Sequence, residues 1–261
     1  MRRNTIKQRL KNGETVIGTM VQEMRVPAIA QILKAVGYDF FMLDMEHGSY
    51  SLETAADIFR VGRLVDLCPL VRVASPDYDL IARPLDHGAM GVMMPRIETR
   101  EQVERFIEAM KYPPLGKRGC SSDAPHSEYA FGPLAEFLEV NNQDTLAITQ
   151  IERKVAVERI DELLSVPGVD VALIGPEDLS VSLGRPGETS HPIVIEAIET
   201  VIAAAARHNV VAGIHMGSVE RLQGWMARGM RMIMYSSDLG FLMEAGEAGL
   251  RQLRIAAGRA N

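Results

Sequence analysis

The chain has 261 residues, of which 47% are hydrophobic, so it can bury a large core. Its 28 basic and 34 acidic residues give a net charge of −6, and it has neither a long run of like charges nor a basic stripe with interleaved aromatic residues; we therefore expect no nucleic-acid partner. No apolar stretch approaches the roughly 18 residues of a membrane span, and no signal-peptide pattern follows the N-terminal charges.

Short apolar segments typical of buried strands recur along the chain, and helical patterns separate them. The predicted strands cover residues 16–21, 39–43, 70–73, 91–94, 146–151, 169–174, 210–214 and 230–234. The predicted helices cover residues 27–36, 52–64, a segment opened by Ser75-Pro76, 98–110, a segment between strands five and six, 219–226 and 241–256. Eight alternations predict one (β/α)8 TIM barrel over residues 1–261; an open sheet of six or seven strands is the alternative.

Two longer connections, residues 112–131 and 180–191, interrupt this alternation. Loops of this length are often functional, and we expect both to lie over the carboxyl ends of the strands. Cys68 and Cys120 have no CxxC spacing. They indicate a reducing, cytoplasmic location, although one bridge between them is also possible.

A pair of carboxylates stands in the strand–helix–strand segment of residues 146–180. Glu152 directly follows the first strand, and Asp178 lies four residues past the second. Because neighbouring parallel strands lie about 4.8 Å apart, both side chains can reach one point at the carboxyl end of the sheet. Two carboxylates with open positions for water and substrate suit Mg²⁺ or Mn²⁺. The alternative is that both cap helices or pair with Arg; Glu98, which has a similar sequence context, is interpreted as a helix N-terminal residue.

Three further residues are candidates for chemistry. Asp44 and His47 follow the second predicted strand, and a histidine near a carboxylate is a candidate general base. Arg72 lies inside an apolar run, where an unpaired charge is very costly. A buried pair with Asp44 or Glu46 and a contact to substrate are both open interpretations.

Other segments also end near the expected active face. The turn Gly175-Pro176-Glu177-Asp178 opens a helix whose free N–H groups can hold a carboxylate or phosphate. His126 and His215 are expected near this face, whereas the remaining histidines outside the DMEH segment are interpreted as surface or capping residues.

Several motifs together resemble the class II HpcH/HpaI aldolases from about residue 5 to residue 256. They are LDMEH at 43–47, VRV at 71–73, YPPLGKRG at 112–119, QIE at 150–152, GPEDLS at 175–180 and SSDLG at 236–240. The nearest branch is that of 2-dehydro-3-deoxyglucarate and 4-hydroxy-2-oxoheptanedioate aldolases. The resemblance implies a metal-dependent lyase that releases pyruvate and an aldehyde from a 2-oxo-3-deoxy sugar acid or a 4-hydroxy-2-oxo diacid.

The resemblance also implies roles for particular residues. Glu152 and Asp178 would bind Mg²⁺, Mn²⁺ or Co²⁺, and Arg72 would face the 2-oxo oxygen of the substrate. His47, oriented by Asp44, would assist proton transfer.

Substrate binding is implied for Gln150 and for the turn Gly175-Pro176-Glu177-Asp178, in which the N–H groups of Glu177 and Asp178 would hold the pyruvyl carboxylate. The final helix would pack on a neighbouring subunit of a homo-oligomer, a hexamer or trimer. Glu177 departs from the usual family pattern and would add a negative charge beside the metal. The turn at Gly48-Ser49-Tyr50 and the segment at His215 also depart from it, and these two departures concern the aldehyde side of the site.

Two other functions stay open at this point. An oxaloacetate decarboxylase or an enolate C–C ligase could use the same site. A non-catalytic barrel that binds an anionic metabolite or a protein partner would not need the carboxylate pair. No lysine stands at a strand end in surroundings typical of a Schiff base, which argues against a class I aldolase.

Overall fold

The computed structural model describes residues 3–130 and 132–259; residues 1, 2, 131, 260 and 261 of the predicted domain lie outside the described part. Eight parallel strands close into a barrel in sequence order. They are β1 (Val16–Val21), β2 (Phe40–Asp44), β3 (Cys68–Arg72), β4 (Gly91–Met94), β5 (Leu146–Ile151), β6 (Val171–Ile174), β7 (Val211–Met216) and β8 (Met232–Ser237). The predicted (β/α)8 barrel is confirmed, and the open sheet is excluded.

Helices surround the barrel. They are α1 (Thr5–Lys11), α2 (Ala28–Val36), α3 (Leu52–Leu64), α4 (Tyr78–Asp86), α5 (Arg100–Met110), α6 (Leu134–Asp144), α7 (Lys154–Glu158), α8 (Ile160–Leu164), α9 (Pro176–Ser182), α10 (Pro192–Arg207), α11 (Val219–Ala227) and α12 (Asp238–Ala256). Of these, α1, α6 and α10 were not predicted. The predicted helix between strands five and six is two short helices, α7 and α8.

Alternate strand residues fill the inside of the barrel, as the period-two geometry of strands requires. This inner cluster includes several of the methionines that the strands carry, among them Met20, Met42, Met93, Met232 and Met234. At the carboxyl ends the same alternation brings polar side chains inward. On β2, Asp44 follows Phe40 and Met42 at every second position, and on β3 Arg72 follows Leu70. The strand geometry therefore places these polar groups over the apolar filling.

The connection of residues 112–131 does not lie over the carboxyl ends, which corrects the prediction. It follows α5 rather than β4, and α5 returns the chain to the amino-terminal end of the barrel. Lys111, at the end of α5, donates from Nζ to the main-chain oxygen of Thr145, just before β5. His126 lies at this end too, where Arg63 donates to its main-chain oxygen, so the expectation that it lies near the active face is wrong. Residue 131 is outside the described residues.

The connection of residues 180–191 lies at the expected end. Arg221, in the first turn of α11 after β7, donates to the side chain and the main chain of Thr189.

Cys68 is buried, Cys120 is exposed, and both are free, so the alternative of a bridge between them is excluded. Within residues 3–130 and 132–259, no helix combines the length and the apolar character needed to cross a bilayer.

Candidate active site

A cavity of about 160 Å³ opens at the carboxyl ends of the strands. Met20, Met93 and Leu173 line its apolar part. Its polar lining contains most of the predicted site residues, namely His47, Arg72, Gln150, Gly175, Pro176, Glu177 and Asp178, together with His215. A larger cavity, of about 350 Å³, lies beside Arg3 and Phe137 and holds none of the predicted site residues.

Arg72 is held in the cavity wall by a two-point ion pair with Asp44. The two residues are opposite each other on β3 and β2. Arg72 donates from Nε to Oδ1 of Asp44 at 2.9 Å and from Nη2 to Oδ2 at 2.6 Å. Burial alone would raise the pKa of the Asp44 carboxyl, but the hydrogen bonds and charge of Arg72 keep that pKa below its usual value. Of the two interpretations left open for Arg72, the buried pair with Asp44 is present. Arg72 also lines the cavity.

Glu46 connects three basic side chains at the rim. Its carboxylate lies 3.4 Å from Nε of Arg72, 3.2 Å from Nε of Arg96 and 3.8 Å from Nε2 of His47. The His47 side chain is 65% exposed. Asp44 accepts hydrogen bonds from the main-chain N–H groups of Glu46 and His47. Asp44 therefore orients the main chain of His47, whereas the carboxylate beside the imidazole is that of Glu46, which corrects the expected contact.

Glu152 is buried at the end of β5 among other acidic groups. Oε1 accepts the main-chain N–H of Arg96 at 2.7 Å, and Oε2 accepts from Nε2 of Gln150. Burial raises the pKa of Glu152 to about 7, and the negative charges of Asp178 and Glu46 act in the same direction. The structure thus places Glu152 and Asp178 close enough for their charges to oppose each other.

This acidic group has the chemistry of a site for a divalent cation. Oε1 of Gln150, a neutral oxygen donor beside Glu152, is buried and has no hydrogen-bond partner. Two carboxylates and an amide oxygen form a set of hard ligands, which Mg²⁺ and Mn²⁺ prefer. A cation would offset both the carboxylate repulsion and the unsatisfied oxygen, so the residues present fit such an ion.

Gly175 allows the β6–α9 turn to approach Gln150 and Glu152. A Cβ atom at this position would lie 2.8 Å from Nε2 of Gln150 and 3.0 Å from Oε2 of Glu152. Pro176 follows as the first residue of α9. The N–H groups of Glu177 and Asp178 lie in the first turn, where a helix offers no partner for them, and both residues line the cavity.

Arg96 was not predicted as a site residue. It has a left-handed backbone conformation with φ of 53°, and its main-chain N–H holds Glu152. Its guanidinium contacts Glu46 and donates to the main-chain oxygen of Ala74. Its contribution depends on the backbone conformation, for which the residue type gives no signal.

His215 lies in the cavity wall, as expected from the sequence. It continues the alternation of Val211 and Gly213 along β7. That alternation is a sequence signal for a side chain that points inward at the carboxyl end of the barrel.

Residues 22–245 match the family described as HpcH/HpaI aldolase/citrate lyase. The hydroxypyruvate/pyruvate aldolase of Roseobacter denitrificans is 31% identical over 251 residues, which cover 94% of this chain and 95% of that protein. The 2-keto-3-deoxy-L-rhamnonate aldolase of Escherichia coli K12 is 30% identical over 235 residues, which cover 90% and 87%. The crystal structure of the HpcH/HpaI aldolase from Desulfitobacterium hafniense DCB-2 superimposes with a TM-score of 0.93 at 33% identity, covering 95% of this chain and 96% of that one. The chain therefore belongs to the HpcH/HpaI aldolase/citrate lyase family, and the prediction of an aldolase-type lyase is confirmed.

Proposed function

We propose that this enzyme is a divalent-metal-dependent aldolase that cleaves a 2-oxo-3-deoxy sugar acid or a 4-hydroxy-2-oxo diacid into pyruvate and an aldehyde. The observation that carries the proposal is the acidic site at Glu152. This carboxylate contacts Gln150 and lies close enough to Asp178 for their charges to interact, and Gln150, Asp178 and Arg72 line one cavity. Relatives named as aldolases for pyruvate and for a 2-keto-3-deoxy acid support the substrate class.

Members of this family generally depend on a divalent metal ion. In this chain Glu152 and Asp178 would bind it, with Oε1 of Gln150 close by; Mg²⁺, Mn²⁺ and Co²⁺ are the candidates. When bound, the ion supplies a Lewis acid that stabilises negative charge on the substrate.

Arg72 would stabilise the charge that develops on the 2-oxo oxygen when the bond between C3 and C4 breaks. Asp44 holds the guanidinium in place at two points, and Glu46 contacts it from the rim. A fixed positive group needs no reorganisation as the charge develops, which is the general source of electrostatic catalysis.

The pyruvyl carboxylate would bind at the turn formed by Gly175, Pro176, Glu177 and Asp178. Glu177 and Asp178 line the cavity there, in the first turn of α9, and backbone N–H groups at a helix start bind anions well.

His47 would take the proton of the C4 hydroxyl group through a water molecule. Its imidazole is exposed at the rim, where it can exchange this proton with solvent. The nearby carboxylate of Glu46 would stabilise the imidazolium that forms.

We further propose that α12 joins subunits of a homo-oligomer, a trimer or hexamer. Six large apolar side chains of this helix are exposed in the single chain: Leu239, Leu242, Met243, Leu250, Leu253 and Ile255. An exposed apolar stripe of this length is typical of an interface. Light scattering behind size-exclusion chromatography measures the assembly, and a monomer would contradict it.

The expected cytoplasmic location stays a prediction, supported by two free cysteines.

Pyruvate release from a 2-oxo-3-deoxy sugar acid, coupled to lactate dehydrogenase, tests the proposed function. EDTA should abolish the release, and Mg²⁺, Mn²⁺ or Co²⁺ should restore it; full activity in EDTA would contradict the proposal. Glu152→Gln and Asp178→Asn should each lower the rate by at least about a hundredfold. Glu98→Gln is the matched control, because Glu98 lies at the start of α5 near Arg153 and has no role in the site.

The same assay separates the alternative of oxaloacetate decarboxylation. Rapid decarboxylation of oxaloacetate, together with no cleavage or formation of any aldol product, would favour that alternative over the proposed function.

A further inference from the structure

His215 is a polar residue of the cavity that the mechanism above does not use. Its strand, β7, pairs with β6 so that Ile214 lies opposite Ile174, which places His215 beside the turn that begins at Gly175. It lines the same cavity as Arg72 and Asp178. The imidazole therefore stands next to the proposed pyruvate site, on the wall formed by β7.

One hydrogen bond fixes the orientation of the ring. Nε2 of His215 lies 3.0 Å from the main-chain oxygen of Ser236. A carbonyl oxygen can only accept, so Nε2 must carry the hydrogen. Ser236 has a φ of 53°, and its oxygen also accepts from Oγ1 of Thr19.

An irregularity of the sheet places Ser236 in this position. Gly18 pairs with Met234, but Met20 pairs with Ser237, so β8 has one residue more than β1 in this interval. Such a bulge is a recurrent device for redirecting groups next to active sites. Here it turns a main-chain oxygen toward the imidazole.

The other ring nitrogen is left as a hydrogen-bond acceptor. Burial and the charge of Arg72 lower the pKa of His215, so the ring is neutral at neutral pH and Nδ1 has a free lone pair. Among the described residues, none donates a hydrogen bond to Nδ1. The side-chain atoms that are both fully buried and without a hydrogen-bond partner do not include Nδ1. Nδ1 is therefore accessible from the cavity.

We propose that His215 is a specificity-determining residue whose Nδ1 accepts a hydrogen bond from a hydroxyl group of the substrate, an inference that rests on the proposed aldolase function. The substrate is thus one that yields a hydroxyaldehyde rather than an alkyl aldehyde. A methyl group in place of the hydroxyl would leave Nδ1 desolvated without a donor, and hydrogen-bonding sites discriminate well against such analogues. Glu177, at the edge of the same cavity, adds a second acceptor and would repel an aldehyde that carries a carboxylate.

The test compares two aldehydes of similar size, glycolaldehyde and propionaldehyde, as acceptors for pyruvate with the metal-loaded enzyme. The quantity is the ratio of their kcat/KM values, because intrinsic aldehyde reactivity cancels between enzyme variants. His215→Gln keeps an N–H group that can reach Ser236 but leaves no acceptor at the position of Nδ1, so it should lower the ratio by about fivefold to tenfold. His215→Asn keeps an acceptor near the position of Nδ1 and should lower the ratio less. His208→Gln, far from this cavity beside Asp161, should leave it unchanged.

Exchange of the pyruvate methyl protons in D₂O, followed by NMR, is measured for every variant. This exchange needs only the proposed enolate chemistry, so its absence in the unchanged enzyme would contradict the proposed function rather than the role of His215. If His215→Gln exchanges the methyl protons of pyruvate and its ratio of kcat/KM values for the two aldehydes equals that of the unchanged enzyme, the role of His215 is overturned. If His215→Gln does not fold, a ratio in His215→Asn as low as that of a His215→Leu variant would overturn it as well.

Discussion

Arg72 and Asp44 form a buried two-point ion pair between neighbouring strands, and one face of this pair borders the cavity. Asp44 is completely buried, and both of its oxygens accept from Arg72. Loss of either partner would leave a buried charge unpaired, and the pair fixes the guanidinium where the proposed reaction develops charge. Stability and activity should therefore depend on the same two side chains.

Replacing Arg72 with Lys should damage both properties. A single ammonium group cannot reproduce the two parallel hydrogen bonds to Asp44, and a weakly paired buried carboxylate is costly. We expect the free energy of unfolding to fall by about 3 kcal/mol, as for other broken buried pairs, and pyruvate release to fall at least about a hundredfold. Urea unfolding and the coupled assay measure the two effects. Arg60→Lys, in an exposed pair with Asp57, should change neither; wild-type activity in Arg72→Lys would contradict this role.

Gly175→Ala should separate activity from stability. The added Cβ would press on Gln150 and Glu152, which must shift away from their present positions. We expect pyruvate release to fall at least about tenfold, since small displacements of catalytic groups have large effects.

Gly224→Ala is the matched control for this change. Gly224 lies in α11 with open space around it, so alanine should stabilise the protein by about 0.5 to 1 kcal/mol without changing the rate. Equal rates for the two variants would show that the close approach at Gly175 is not needed.

Arg96 allows a test of backbone strain beside Glu152. The variants Arg96→Gly and Arg96→Ala lose the same side-chain contacts and keep the main-chain N–H that Glu152 accepts. Because φ is 53° at this position, glycine should be more stable than alanine here by about 1 kcal/mol. Urea unfolding of both variants measures the difference, and equal stabilities would show that the backbone relaxes at no cost.

Lys111 should make the stability depend on pH. Its Nζ is buried at the amino-terminal end of the barrel, and burial together with the charge of Lys7 lowers its pKa to about 7, from 10.5. Between these two values the unfolded chain binds more protons than the folded chain, so the free energy of unfolding rises with pH. From pH 7 to pH 9, the free energy of unfolding should increase by about 2 kcal/mol more in the wild-type protein than in Lys111→Met. Lys11→Met, at an exposed position, should show the wild-type slope; a slope unchanged in Lys111→Met would contradict the lowered pKa.

The barrel could be predicted because its strands are short apolar runs separated by amphipathic helices. All eight strands were predicted and differ only at their ends, whereas helices α1, α6 and α10 were not predicted. Strand β2, for example, includes Asp44, and β3 begins at Cys68. The connection of residues 112–131 was misplaced because loop length alone does not tell whether a segment follows a strand or a helix. Its position depends on the direction of α5, which returns the chain to the opposite end.

The candidate site could be predicted where side-chain chemistry coincides with a strand end, as at Glu152 and Asp178. The ring of His47 shows the limit of this reasoning. Asp44 was expected to be the carboxylate that orients it, but Arg72 occupies both oxygens of Asp44, and Glu46 lies beside the imidazole. Arg96 could not be found from its residue type, because it acts on Glu152 through its main chain in a left-handed conformation.

Calorimetric titration of Mn²⁺ into the metal-free enzyme tests the central claim most directly. We predict one binding site per chain, lost or weakened by at least about tenfold in Glu152→Gln and in Asp178→Asn and retained in Glu98→Gln. Binding of the same strength and stoichiometry in all four proteins would contradict the proposed site.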